Sequence, residues 1–365
     1  MSDRKYYIDN LRWLWIVFLI PFHAAMAWNG WEGNYIWLYE NKVLSSLVIF
    51  IAPWYMPLLF VLAGMSTRYA MKNRSYGQFA IERVKKLLIP LITGGFTVVA
   101  LMTYMSDKYH NNYSGSFFEH YQVFLTNVTD LTGYDGSLTP GHLWFLLFLF
   151  IISMISLLLI AVQRKILPKL PFAKIKTAYL PILMFFPLIM TPILDFGGKS
   201  IGGNLALFLM GYYVLSEEDV LERMTKYRYL YLAIMLVFDV ILTYTFVWKG
   251  NQTGIVETIC NSCAAWFGIL GFLGVARCSF NQNNVITRYM SSRSFMIYIF
   301  HFGWLVVFQY YLCKVTKSVM ILYFVSVVGT LVMTLLTCEV IKRIPGIRFL
   351  FGEKEKIFNI YKVFR

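Results

Sequence analysis

Apolar residues along this chain fall into ten runs, at 11–28, 43–65, 87–106, 143–163, 178–194, 201–216, 228–248, 255–276, 293–313 and 319–340. About 20 helical residues cross the hydrocarbon core of a bilayer, so each run is a candidate span, the fifth and sixth being the shortest. The pattern predicts an all-α polytopic membrane protein of about ten transmembrane helices. With no internal repeat and no low-complexity linker, residues 1–365 read as a single membrane domain.

Three hydrophilic segments interrupt the pattern. In 66–86, Phe79, Ile81 and Val84 interleave with Arg83, Lys85 and Lys86, which predicts a helix lying in the interface before the chain turns into the third span. The outer loop 107–142, rich in Tyr, Phe, Asn, Ser, Gly and Asp, is long enough to fold over an external mouth. The basic tail 341–365 alternates bases with Phe, Ile and Val, as a segment resting on an anionic leaflet and anchoring topology would.

Composition agrees with the pattern. Hydrophobic residues make up 58% of the chain and charged residues only 14%, with a mean hydropathy of +0.58, so much of the surface must face lipid. The net charge of +14 alone would suggest nucleic acid, but its placement excludes that. With alternating spans, Lys42, Lys108, Lys199, Lys249, Lys314 and Lys317 are the cations of the outer segments, and the remaining 27 of 33 fall on inner ones. This is the positive-inside pattern, with both termini cytoplasmic and the protein multi-pass in the cell (inner or plasma) membrane. The first apolar run is full length without a small-residue cleavage site, so it reads as a retained helix. Cys260, Cys263, Cys278, Cys313 and Cys338 lie in or beside spans, an odd number with no extracellular framework. The Cys260/Cys263 spacing reads as packing.

Candidate chemistry is concentrated at histidines. Arg12 and His23 are eleven residues apart, which returns to within about 20° of the same helical face and separates them by about 16 Å along the axis. His23 therefore sits past mid-bilayer. Pro21, which has no amide hydrogen to donate, would kink the helix just before it. Intramembrane ionisable groups are costly and belong in a protein interior or a wet cavity. His301 shares a face with Tyr298 at a depth similar to that of His23, so either histidine could be a general base and the other a partner or a structural ring. Arg83 and Lys86, at the inner mouth of the third span, could meet a phosphate-bearing ligand. Asp9 could lock Arg12. His142 and Trp144 open the fourth span at the outer boundary, where a Trp is usually an anchor, and Glu32 could orient an incoming polar group. Asp239, mid-span, should be paired or protonated. The sequence contains no metal-ligand cluster, no phosphate-cradling glycine loop and no nucleophile-elbow serine.

Several of these residues form motifs. Ile8-Asp9-Asn10-Leu11-Arg12 followed by His23 resembles the N-terminal signature of the acyltransferase-3 family of integral-membrane O-acyltransferases. Phe60 to Met65, Arg83-Val84-Lys85-Lys86, His142-Leu143-Trp144-Phe145-Leu146 and Tyr298 to His301 resemble later family elements in the same order. The chain departs from the pattern at Ile8, at Ala63 and at Lys86, which keeps the charge of the family's second arginine but not its bidentate fork. The Ile-Pro-Phe-His wording and the outer-loop tryptophans are similar to the branch that succinylates periplasmic glucans. The resemblance implies transfer of an acyl group of the acetyl or succinyl class from cytoplasmic acyl-CoA to a hydroxyl of an extracytoplasmic or lipid-linked glycan. The donor would be a substrate, with no tightly bound cofactor and no metal. Arg83 and Lys86 would hold coenzyme A phosphates, and His23, with Arg12 on its stripe, would deprotonate the acceptor or carry the acyl group. The competing readings are a proton-coupled transporter using His23, His301 and Asp239, and a membrane sensing or anchoring module.

Overall fold

A computed structural model describes residues 4–128, 138–167, 175–196, 198–251 and 254–353. The sequence expectations for the middle of the outer loop and for the end of the basic tail lie outside the described residues. Among the described residues, eight helices are long and apolar enough to cross a membrane. They are α1 (Tyr6–Ala25), α2 (Lys42–Ala70), α3 (Tyr76–His110), α5 (Trp144–Ile166), α9 (Arg228–Trp248), α10 (Ile255–Ser279), α11 (Val285–Val315) and α12 (Val319–Arg343). Between them lie α4 (Phe117–Thr126), the short apolar α6 (Pro181–Met190), α7 (Ile201–Tyr213) and the surface helix α8 (Glu218–Lys226). A two-residue antiparallel pair, β1 (Asp195–Phe196) and β2 (Lys199–Ser200), joins α6 to α7.

The expected fifth and sixth spans are therefore corrected to α6 and α7. At 1.5 Å per residue these reach roughly 15 and 20 Å, short of the ~30 Å core. Pro181, Pro187 and Pro192 withhold backbone donors along this stretch, and part of it is wound as tight 3₁₀ turns at Thr177–Tyr179 and Pro181–Met184. Both described chain ends nevertheless reach the same end of the bundle, where Arg4 and Glu353 line one cavity. The interfacial helix expected in 66–86 is also corrected. After a turn at 71–75, a capping box of Ser75 and Gln78 starts α3, which runs on into the membrane through a π turn at Val84–Leu88. That wider turn precedes Pro90, whose missing N–H would leave an α-helical bond unmade in any case.

Burial divides the spans into two classes. The most apolar windows of α2, α10 and α11 are 72%, 67% and 67% buried in protein, whereas those of α9 and α12 are 28% and 22% buried and present their remaining surface to lipid. The inner group wraps α1, which packs on α2, α10, α11 and α12.

Without a hydrophobic driving force between helices in lipid, close association depends on small residues that let backbones meet. Gly64 of α2 and Gly211 of α7 do this reciprocally. A methyl group on Gly64 would lie 2.0 Å from the Phe208 carbonyl oxygen, and one on Gly211 would lie 2.2 Å from that of Val61. Gly211→Ala should force the two backbones apart at a cost of about 1–3 kcal/mol, measured as a lower Tm of the detergent-solubilised protein. An unchanged Tm would show that the crossing tolerates a side chain.

Candidate functional site

Three elements that are distant in sequence bring three histidines together. His23 lies near the end of α1, His301 near the middle of α11, and His142 in the 3₁₀ turn Gly141–Leu143 that opens α5. The ring centroids of His23 and His142 are each 5.5 Å from that of His301. Phe302 stacks on His23 at 4.3 Å and 18° and also packs on His142. Phe22, Tyr55 and Tyr35 extend this aromatic wall.

Hydrogen bonds fix two of the rings. His301 Nδ1 lies 3.0 Å from the Ile297 carbonyl and 2.8 Å from that of Tyr298. Carbonyls only accept, so Nδ1 carries the proton and buried Nε2, which has no partner, keeps its lone pair. His142 is held in the opposite tautomer, with Nε2 donating to the Ile299 carbonyl at 2.9 Å and Nδ1 unpartnered. The Tyr298 hydroxyl donates to the His142 carbonyl, which ties the start of α5 to α11. Among the described residues, buried His23 Nδ1 also has no partner. The cluster thus gathers imidazole nitrogens that could accept a proton from a substrate hydroxyl.

His142 opens α5 as expected and is buried beside α11, where Gly141, at φ +51°, makes the left-handed turn that starts the helix. Trp144 packs on Phe148 and Phe60, with Lys199 over its ring.

At the basic end of the bundle a cavity of ≈ 1240 Å³ opens among α1, α2, α3, α5 and α11. Its mouth carries Arg12, Arg68, Arg83 and Lys86, its walls become apolar at Ile16, Leu59 and Leu149, and it reaches Phe145 and Tyr298 beside the histidines. Most of the charges at the mouth are paired. Asp9 binds Arg4 at 2.8 Å and Arg12 at 3.2 Å, and Arg12 also donates to Ser66 Oγ at 2.6 Å. Glu82 holds Arg74 at 2.7 Å and Lys86 at 2.9 Å, and Glu217 holds Arg68 at 2.5 Å. Arg83 differs from these. Among the described residues it makes no ion pair, its guanidinium lies 4.4 Å over Phe79 and 3.5 Å from Thr67 Oγ1, and its buried Nε has no partner.

The other sequence candidates lie apart from this axis. Glu32 is exposed in the loop after α1, yet enough protein surrounds its carboxyl to raise its pKa above the ordinary range, with Lys199 opposing the shift. Asp239 is fully buried on α9, where it accepts from Trp54 Nε1 at 3.1 Å and has no histidine partner. Among the described residues, no three His, Cys, Asp or Glu side chains are grouped as metal ligands would be. Sequence reasoning missed Phe302, Tyr55, Tyr35, Ser66 and Thr67, because an aromatic or hydroxyl residue in an apolar helix carries no sign of which neighbour it will meet.

Comparison with known proteins places this geometry in a family. Two curated relatives, the Glucans biosynthesis protein C of Salmonella typhi and that of Salmonella typhimurium, are each 21% identical over 98% of this chain and 96% of their own length. No solved structure matches. The family model described as an acyltransferase domain matches residues 5–339, and the chain is therefore a multi-pass membrane acyltransferase belonging to the acyltransferase-3 family.

Proposed function

We propose that this enzyme transfers an acyl group of the acetyl or succinyl class from acyl-CoA, entering at the basic and cytoplasmic end, to a hydroxyl of an extracytoplasmic or lipid-linked glycan. One observation carries the reading. A single cavity leads from a cationic mouth to Tyr298, whose hydroxyl is bonded to His142 in the three-histidine cluster. The name of the Salmonella relatives favours a glycan acceptor, and the inner or plasma membrane is the setting in which a cytoplasmic donor and an external glycan meet.

In this mechanism the coenzyme A phosphates rest on Arg83, which makes no ion pair among the described residues, with Lys86 and Arg12 adding positive potential. The pantetheine arm follows the apolar wall past Ile16 and Leu59 and presents the thioester carbonyl near Tyr298. His23 removes the proton from the acceptor hydroxyl, and the oxygen attacks the carbonyl carbon. The tetrahedral intermediate expels the thiolate, which takes up that proton to leave as coenzyme A. His301 packs beside His23, with ring centroids 5.5 Å apart. Asp9 and Ser66 fix Arg12 against α2, a positioning role.

His23→Ala should lower acyl transfer by about 10² or more at normal expression, the range general base catalysis supplies, measured with radiolabelled acyl-CoA and purified protein. Full activity in that variant would remove His23 from the chemistry. Arg83→Ala should raise KM for acyl-CoA about tenfold with little change in kcat, because it removes binding common to ground and transition states. A fall in kcat at unchanged KM would place Arg83 elsewhere in the cycle.

A further inference from the structure

A second cavity lies at the opposite end of the bundle from the basic mouth, with a volume of ≈ 340 Å³, inside the range of about 300–1,000 Å³ typical of small-molecule sites. Trp31 and Gly30, from the segment after α1, line it together with Glu40 and Lys42 at the start of α2 and Trp248 and Lys249 at the end of α9. None of these residues takes part in the chemistry described above.

Glu40, Lys42, Trp248 and Lys249 are exposed, and directed contacts order several of the lining side chains. Trp248 Nε1 donates to Ser46 Oγ at 3.0 Å, and the ammonium of Lys42 lies 5.5 Å from its ring centroid. Trp31 packs edge-on against Phe246 at 5.2 Å and 89°, and Asn29 Oδ1 accepts from its backbone N–H at 3.1 Å. Glu40 folds back over Gly30, where a side chain would lie only 2.8 Å from its Cδ. Its carboxylate makes no ion pair among the described residues.

The lining carries charges of both signs, one carboxylate and two ammonium groups, which a ligand able both to donate and to accept hydrogen bonds can match together. A lipid chain would have to desolvate all three charges without returning a hydrogen bond. A neutral polyhydroxylated ring has the required capacity. Its hydroxyls donate to the carboxylate and accept from the ammonium groups, and its C–H face lies against an indole, whose face carries partial negative charge. We infer that this cavity is a docking subsite for a neutral sugar unit of the acceptor glycan, removed from the reacting hydroxyl. The inference rests on the glycan-acceptor reading above. It adds a place where the glycan is gripped eight residues along the chain from His23.

The test uses the full chain in lipid nanodiscs and a neutral gluco-oligosaccharide of six sugar units as probe, with binding measured by isothermal titration and transfer measured in parallel. The expected result is saturable binding that Trp248→Ala and Glu40→Gln each weaken about tenfold, with a matching rise in KM for the oligosaccharide and none in KM for acyl-CoA. Glu40→Gln keeps size and shape, so it reports on the carboxylate even where loss of the indole unsettles the helix end. Wild-type affinity in both variants, or no binding by the unaltered protein, overturns the subsite. Site-dependent binding without any acyl transfer leaves the subsite standing and overturns the proposed reaction. Acyl transfer to glycan with unchanged KM in both variants does the reverse.

Discussion

The site depends on how the start of α5 is tied to α11. Three histidines from distant parts of the chain can meet only if these two helices are held in register. Tyr298 donates to the His142 carbonyl, His142 Nε2 donates to the Ile299 carbonyl, and the first turn of α5 is thereby joined to α11. The same two bonds fix the tautomer of one histidine and carry it to within ring contact of the other two.

A second constraint concerns charge. Cations cluster at one end of the bundle, most of them already matched to acids, so the mouth holds positive potential without a set of mutually repelling guanidinium groups. Further in, the cavity wall is aliphatic and aromatic and the histidines are packed among rings. A ligand that crosses this gradient must carry its charge at one end and be neutral at the other. A phosphorylated carrier with a long uncharged arm has that shape.

Much of this arrangement was legible in the sequence. The all-α membrane architecture followed from the apolar runs, and the similar depths of His23 and His301 followed from their distances to charged helix ends. What failed was the assumption that every apolar run is one continuous span, which counted α6 and α7 as full spans. Periodicity could not correct it, because 3₁₀ turns interrupt a helix without changing the apolar string. The contacts of His142 were hidden for another reason, since its partners, the Tyr298 hydroxyl and the Ile299 carbonyl, lie more than 150 residues away. The family motifs gave the identities of the pieces but not their roles. The Phe60 to Met65 element, for example, proves to be where Gly64 meets α7.

These features converge on α1. Arg12 lies on the basic cavity, His23 lies in the cluster, and the segment that follows the helix supplies Trp31 to the opposite cavity. At its inner end the helix is held through the Arg12 bonds to Asp9 and Ser66 and the Tyr55 hydroxyl bond to the Trp15 carbonyl. Near its outer end, the Tyr323 hydroxyl binds the Pro21 carbonyl and Gln309 binds that of Ala24. A helix held at both ends keeps a constant spacing between Arg12 at the basic mouth and His23 in the cluster. The Asp9–Arg12 pair is therefore better understood as a clamp on that helix than as a participant in the chemistry. Its influence on the reaction would pass through the position of His23.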